Sequence, residues 1–570
     1  MKGIVRRALI GLVCGTASSV FLFSALRNVN LGLALGALLG VAQIFAFFDL
    51  GSGSTIDRAM TCAALGVALW ATINVIVVPI ATGQSPQWTA EEMRGLFPAL
   101  MGWLLFCFFL GALTQAARRA SERFFGPELP RRRSSTPTQT TRIVILGGGF
   151  AGVTTAEHLE RQFRDDPMVS FTLISETNSW LFTPMLVEVA TSGLEPTDIS
   201  TPLRTMLKRT RIVRSKVTSI DLESGRVQLS EEGPQSGLDY DHLVVALGSV
   251  SNCSSNSAVA ESAYEFKTLS DAIRVRNHVI DVFERADAEL NSDHRQALMT
   301  FVVAGGGFSG VELAGGLNDF ARGIIADYPS LSTADLRIVL IHSRERILPE
   351  LSESLASYAM QRMEERGVTL KLNARVTDAR PGSITLSTKE EIATETFVWT
   401  AGASPSPILQ ELPIRRDSRG AVLVEGTLAL PGYRNVWALG DCASVPDTAT
   451  GKVCPPTAQA ATRQAALLAK NIRASLRGRR LEPFHYQSLG SLCVVGHHTA
   501  CAEILGLKFS GLFAWLLWRG VYLAKLPGLE RKVRVLTDWT LELFFPRDIV
   551  QTIDFDDLAK HQYDSKATTI

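Results

Sequence analysis

No two cysteines in this chain stand at CxxC spacing: the eight, at positions 14, 62, 107, 253, 442, 454, 493 and 501, are scattered over 570 residues. That excludes a disulfide scaffold and fits a reducing compartment. Net charge is missing too, because 57 Lys plus Arg against 56 Asp plus Glu leave only +1. Without a basic field to gather phosphate backbones, nucleic acid is not an expected partner. The composition of a disordered chain is also absent: 20% of residues are charged, 46% are apolar, and the mean hydropathy is +0.15. Such a balance predicts folded domains, some of them in contact with lipid. At this length three or four units are expected.

Charge is scarcest at the start. Residues 1–117 carry only Lys2, Arg6, Arg7, Arg27, Asp49, Asp57, Arg58, Glu91, Glu92 and Arg94. Between these clusters lie uncharged apolar stretches near residues 8–26, 31–48, 60–80 and 96–113, each close to the ~20 residues that cross a bilayer core. The reading is a four-helix transmembrane anchor over residues 1–117. Lys2, Arg6 and Arg7 before an apolar run also suit a signal peptide, but three further runs follow directly. Arg58 and the arginines at 118, 119, 123 and 131–133 fall on the same side as the amino terminus if there are four spans. The positive-inside rule then puts both termini in the cytoplasm, and predicts a multi-pass inner-membrane protein with its remaining domains on the cytoplasmic side. No ionisable residue lies at mid-span, which argues against a proton pathway in this block.

Residues 118–140 are basic and rich in Pro, Ser and Thr, as an exposed linker should be. Next comes an apolar strand, Arg142 to Leu146, then Gly147-Gly148-Gly149-Phe150-Ala151-Gly152 and a helical pattern. This is the strand, glycine turn and helix of a dinucleotide fold. Gly147 serves the tight turn, Gly149 the close approach of backbone to pyrophosphate, and Gly152 the packing of helix on strand. Glu176 ends the following strand, 24 residues after Gly152, where a ribose-binding acid belongs. The unit recurs 158 residues later as Gly305, Gly307 and Gly310 after the strand at 300–304. There the second strand ends in His342 and Ser343, with Arg344 and Arg346 close by. Without an acid at His342, a 2′-phosphate is not repelled, so weak discrimination against NADPH is expected.

Val436-Trp437-Ala438-Leu439-Gly440-Asp441 is a short buried strand that ends in a carboxylate, suited to a hydroxyl-rich chain such as a flavin ribityl. The strands before Gly248 and Gly402 read as twin crossings between a flavin domain and an inserted nicotinamide domain.

With these motifs in order, the sequence resembles the two-dinucleotide-binding-domain flavoproteins and, within them, the type II NADH:quinone oxidoreductases. The resemblance is carried by RIVILGGGFAGV at 142, LFTPMLVEVATSGLEPTDISTPLR at 181, VVAGGGFSGVELAG at 302, VWALGDCA at 436, PPTAQAATRQ at 455 and FSGLFAWLLWRGVYLAKLPG at 509. It implies an α/β fold of two Rossmann-type domains. The first, in two parts at 141–262 and 401–485, would bind FAD non-covalently; the inserted domain, 263–400, would bind NADH or NADPH. Residues 486–570 would form a β-hairpin and amphipathic membrane-docking helices. On the FAD side the resemblance adds Val217, Gly248, Gly440, Asp441 and Ala458, and on the nicotinamide side Gly402.

The implied activity passes hydride to FAD and two electrons to a membrane quinone, without proton pumping. Glu312, opening the helix beside the nicotinamide, is read as a carboxylate with a raised pKa that aids proton supply. Gln459 looks like the quinone-site glutamine. A second family glutamine is replaced by Arg463, with Gln464 one step later, and Lys525 is a candidate for the mouth of the quinone path. The stretch from Gly147 to His242 holds no cysteine, so a dithiol relay is disfavoured, and the later cysteines read as apolar filler. His497 and His498 have no metal-ligand spacing, and no metal site is expected. Residues 509–526, apolar but interrupted by Arg519 and Lys525, suit helices lying in the bilayer interface. Two alternatives stand beside this reading: a redox sensor that signals through the amino-terminal block, and a reductase specific for naphthoquinones. The quinone and the oligomeric state, a homodimer included, are open.

Overall fold

The computed structural model of the chain describes residues 2–22, 29–47, parts of 59–83, 95–125, 140–230, 236–253, 257–542 and 544–551. They divide into two compact units, Met1–Pro137 and Thr138–Ile570.

In the first unit the helix Lys2–Ser18 packs along the helix Val29–Phe47. Their contact is made of glycines four residues apart, Gly11 and Gly15 on one and Gly36 and Gly40 on the other. A Cβ on Gly15 would lie 2.1 Å from the Gly36 carbonyl oxygen, and one on Gly40 2.1 Å from that of Gly11. Backbones this close are the signature of helices that associate by van der Waals packing in an apolar solvent. A third helix, Phe97–Phe125, contributes Trp103, whose buried indole donates to Asn74 Oδ1 at 2.7 Å. Large apolar side chains such as Leu9, Val13, Leu38 and Phe109 point outward.

Among the described residues one helix, Pro98–Ala117, is long and apolar enough to span a membrane. Ala8–Phe21 and Val29–Ala42 are apolar but shorter, and 10 of the 21 residues of the span expected at 60–80 lie outside the described residues. The expected linker boundary also shifts. Helix Phe97–Phe125 runs through residue 125, because QAARRASERFF is rich in good helix formers and the first breakers are Gly126 and Pro127. Residues 126–139 of that linker are outside the described residues.

The second unit begins with a parallel five-stranded sheet in the spatial order 436–438, 242–245, 141–146, 169–175, 211–214. A second parallel sheet runs 264–265, 396–399, 300–304, 337–341, 368–371. Each carries a small three-stranded antiparallel sheet, at 217–239 in the first and 376–393 in the second. The chain leaves and re-enters the first fold at Gly248 and Gly402, with φ of +65° and +75°. Directly after them Ser249–Ser251 and Ala403–Pro405 pair antiparallel.

The carboxyl-terminal part is a three-stranded sheet rather than the expected hairpin: Gly490–Gly496, Thr499–Ile504 and Leu507–Ser510. The third strand is the segment LKFS, whose last two residues, Phe509 and Ser510, read in sequence as the start of the apolar helix. His498, at φ +58°, makes the turn between the first two strands. The helices Gly511–Lys525 and Leu529–Leu541 follow. One continuous core joins both parallel sheets to Trp518, Val535 and Trp539 of these helices.

The glycine contact in the first unit is directly testable. Gly40→Val should force the first two helices apart, and Cys14, 6% exposed beside Gly15, should then react with a maleimide several-fold faster in detergent. A Cys14→Ser control identifies the label; unchanged labelling would rule out the glycine seam.

Candidate active site

The first glycine turn is built by close contacts. A Cβ on Gly152 would lie 2.0 Å from the Gly147 carbonyl oxygen, and one on Gly147 2.2 Å from that of Ala246. Gly147 sits at φ +109°, a conformation that favours glycine. Gly149 caps the helix Phe150–Gln162, and a Cβ on it would meet nothing within 4 Å. It borders a cavity of about 680 Å³ lined by Gly147, Gly149, Glu176, Lys216, Val217 and Lys267, among others. The helix amino terminus therefore aims its N–H groups at open space, the arrangement that holds a pyrophosphate. Ser200, on the cavity wall, has a buried Oγ without a hydrogen-bond partner among the described residues. FAD fits here: glycine backbone for its pyrophosphate, Glu176 at the strand end for ribose, Val217 on the wall, and the unpaired Ser200 hydroxyl.

Gly248, Asp441 and Ala458 sit at the other end of this fold. Ser249 Oγ donates to Asp441 Oδ2 at 2.9 Å and accepts from Lys267 Nζ at 2.7 Å. Burial pushes the Lys267 ammonium below its usual range, opposed by Asp441. Lys267 was missed in the sequence; its only signal is a cation directly before the Thr268–Asp271 capping box that starts the helix Leu269–Ala288. Gly440, at φ +74°, donates its N–H to the buried Gln464 Oε1 at 2.8 Å. Gln464 thus holds the turn that presents Asp441.

The second turn repeats the first. A Cβ on Gly310 would lie 1.7 Å from the Gly305 oxygen, and Gly307 caps the helix Phe308–Ile324. Gly402 stands at the crossing out of this fold. The repeat also corrects the reading of His342. Gly147 N donates to Ile174 O and Gly305 N to Ile341 O, so His342 corresponds to Ser175, and Ser343 to Glu176. The side chain of His342 lies under the turn, where Nδ1 accepts from Gly306 N at 3.1 Å. The exposed Ser343 stands where Glu176 stands in the first fold. Sequence alone could not fix this one-residue register; the ladder does.

Glu312 lies one turn into helix 308–324, against the carboxyl-terminal sheet. Its Oε1 accepts from Val494 N at 3.2 Å. Burial pushes its carboxyl up to about 8, against the pull of the Val494 N–H and the Trp518 indole, and nearby Glu188 raises it further. It is therefore mostly protonated at neutral pH. Cys493 and Cys501 face each other across the first two strands of this sheet, a juxtaposition that sequence spacing concealed. Both are fully buried free thiols, and burial pushes Cys501 up to about 12 and Cys493 well above its usual range, so they behave as packing groups.

Gln459, second residue of the helix Ala458–Leu476, has its side-chain amide occupied. Oε1 accepts from Leu489 N at 2.9 Å, and Nε2 donates to Gly490 O at 3.3 Å. It clamps the chain entering the carboxyl-terminal sheet. Arg463 stacks 5.7 Å from the Tyr486 ring centroid. Lys525, on the last turn of helix 511–525, is lowered by burial and by the charge of Arg463, so these two sequence candidates do meet. Glu188 was not singled out in the sequence. Its Oε2 accepts from Trp539 Nε1 at 2.7 Å, and burial pushes it up to about 7. Among the described residues no cluster of potential metal ligands occurs.

Comparison with known proteins agrees with this architecture. Residues 141–465 match the pyridine nucleotide-disulphide oxidoreductase family, and residues 488–548 match the NDH2 C-terminal domain. The chain is 33% identical over 430 residues to the type II NADH:quinone oxidoreductase Ndh of Mycobacterium tuberculosis, covering 73% of this chain and 90% of that one. It is 31% identical to the demethylphylloquinone reductase NdbB of Synechocystis, covering 70% and 95%. A solved structure of NDH2 from Plasmodium falciparum in complex with NADH shares the fold, with a TM-score of 0.67 at 18% identity, covering 72% of this chain and 100% of that one. Two glycine turns of one build, an inserted second fold and a helical carboxyl-terminal tail thus place this chain in the pyridine nucleotide-disulphide oxidoreductase family, among the type II NADH:quinone oxidoreductases.

Proposed function

We propose that this protein oxidises NADH on its second fold and reduces a membrane quinone through FAD held by its first. The observation that carries the reading is Glu312: a half-buried, proton-loaded carboxyl one turn from the nicotinamide fold's glycine turn, against the sheet that leads to the tail helices. Bound FAD would supply the chemistry that accepts a hydride and returns two electrons. The chain's residues supply position and protons. Gly147, Gly149 and Gly152 cradle the pyrophosphate, Glu176 and Val217 the adenosine end, and the Lys267–Ser249–Asp441 chain fixes the polar groups near Gly248, Gly440 and Ala458. Gly305, Gly307 and Gly310 seat the nicotinamide nucleotide, with Gly402 at the domain crossing. Glu312 holds a proton for the reduced quinone, Gln459 shapes the wall, and Arg463 and Lys525 place positive charge beside the path by which the ring arrives.

Membrane contact is proposed on two grounds. Leu512, Phe513, Leu516, Val533 and Leu536 are exposed along the carboxyl-terminal helices, with Phe544 and Phe545 exposed just beyond them, and the same segment carries the cations Lys532 and Arg534. An apolar face rimmed by basic residues lies in a bilayer interface. The amino-terminal block would add four spans, with both termini and the catalytic folds on the cytoplasmic face of the inner membrane. The sensor alternative is not favoured, because the chain carries every part of the enzyme. A naphthoquinone acceptor draws support from the name of the Synechocystis relative.

Two outcomes test the reading. Glu312 must be protonated to donate, so quinone-dependent reoxidation should hold below pH 8 and fall as pH rises through that value. Glu312→Gln should slow reoxidation by about 10²-fold and remove the falling limb of the pH profile. At the ribose position, Ser343→Asp should reduce NADPH-driven turnover selectively, through repulsion of the 2′-phosphate. Equal loss with NADH would show that Ser343 does not face the ribose.

A further inference from the structure

Quinone reduction needs one proton more than hydride transfer brings. NADH delivers two electrons and one hydrogen nucleus, whereas the quinol carries two electrons and two protons. The second proton comes from solvent, and Glu312 must be recharged in every turnover. The ionisable groups around it are Cys493, Tyr522 and Glu188. Burial pushes the thiol and the phenol far above neutral pH, which leaves Glu188 as the neighbour able to take up and release a proton.

Geometry brings together the two helices that carry these carboxyls. Gly316, one turn after Glu312, packs against Val187 and Thr191, with 3.0 and 3.1 Å between an added Cβ and their methyl groups. The short helix Leu186–Ala190, which carries Glu188, is thereby held against helix 308–324. Glu188 Oε2 accepts from Trp539 Nε1. Behind it the Arg519 guanidinium lies 4.6 Å from the Trp539 ring and pairs with Glu542 at 2.8 Å. Glu542 in turn pairs with Arg547 at 2.5 Å, whose side chain is 20% exposed. These are the charged groups that face Glu188. Burial raises it, Arg519 and the Trp539 N–H lower it, Glu542 raises it and Arg547 lowers it.

We propose that Glu188 re-protonates Glu312, so that two carboxyl groups in series hand one solvent proton per turnover to the quinone. The proposal rests on Glu312 as the last proton carrier. The O–H bond of Glu312 breaks as a quinol O–H forms. The O–H bond of Glu188 then breaks as that of Glu312 is restored, and a solvent proton recharges Glu188. No electrons move in these steps; both come from NADH.

Glu188→Gln keeps an acceptor for Trp539 but carries no transferable proton, whereas Glu188→Asp keeps the acid. With the full-length holoenzyme, flavin bleaching by NADH and its recovery on adding a short-chain quinone are timed separately across pH. In Glu188→Gln recovery should slow ~10-fold or more and lose its pH dependence near neutrality, with bleaching retained and Glu188→Asp restoring part of the rate. Unchanged recovery in Glu188→Gln beside slowed recovery in Glu312→Gln would overturn the relay and leave the role of Glu312 standing. Unchanged recovery in both variants would overturn both roles. Equal loss of bleaching and recovery in Gln and Asp variants alike would make Glu188 a structural residue and end the proposal.

Discussion

The helix Phe308–Ile324 can lie where it does because it has no side chain at two successive positions. A Cβ on Gly315 would come within 2.3 Å of the Val495 carbonyl oxygen, while Gly316 rests on Val187 and Thr191. The helix is therefore wedged between the carboxyl-terminal sheet and a short helix of the first fold. Everything near the cleft follows from that seat. It brings Glu312 to the Val494 amide and withdraws its carboxyl partly from water. Packed interiors are stiff, so a carboxyl placed this way keeps its position and its raised proton affinity together.

The two glycine turns show how one local geometry is reused with different ends. In both, the last glycine, Gly152 or Gly310, stands against the carbonyl of the first, and the glycine next to the first, Gly148 or Gly306, lies on a residue at the end of the second strand. That residue is Ser175 in one fold and His342 in the other, at 2.3 and 2.5 Å from an added Cβ. The difference that bears on nucleotide choice lies one step further on, at Glu176 and Ser343.

The sheets, the glycine turns and the crossings at Gly248 and Gly402 were legible in the sequence because each rests on a local requirement: an apolar strand, a backbone turn, a strand end. What was not legible was set by tertiary register. Whether His342 or Ser343 takes the ribose place depends on how two strands align. Gln459 and Gln464 both stand in the PPTAQAATRQ motif, yet their amides serve Gly440, Leu489 and Gly490, which only the fold brings near. The Cys493–Cys501 juxtaposition depends on a strand register, and Glu188 gains its surroundings from Trp539, 351 positions away. Helix Phe97–Phe125 outran its expected end because linker composition began only after residue 125.

The pairing that closes the first sheet also constrains the order of assembly. Its edge strand, Val436–Ala438, aligns with Leu243–Val245, and the whole second fold lies between them in the chain. Such a long-range pairing is slow to form, since the loop must close before the contact contributes. During synthesis the first fold's glycine turn therefore waits, with its core open on one edge, until the inserted fold has emerged and compacted. The short ladder of Ser249–Ser251 with Ala403–Pro405 cuts that loop at its neck, and so brings the last strand to the sheet it completes.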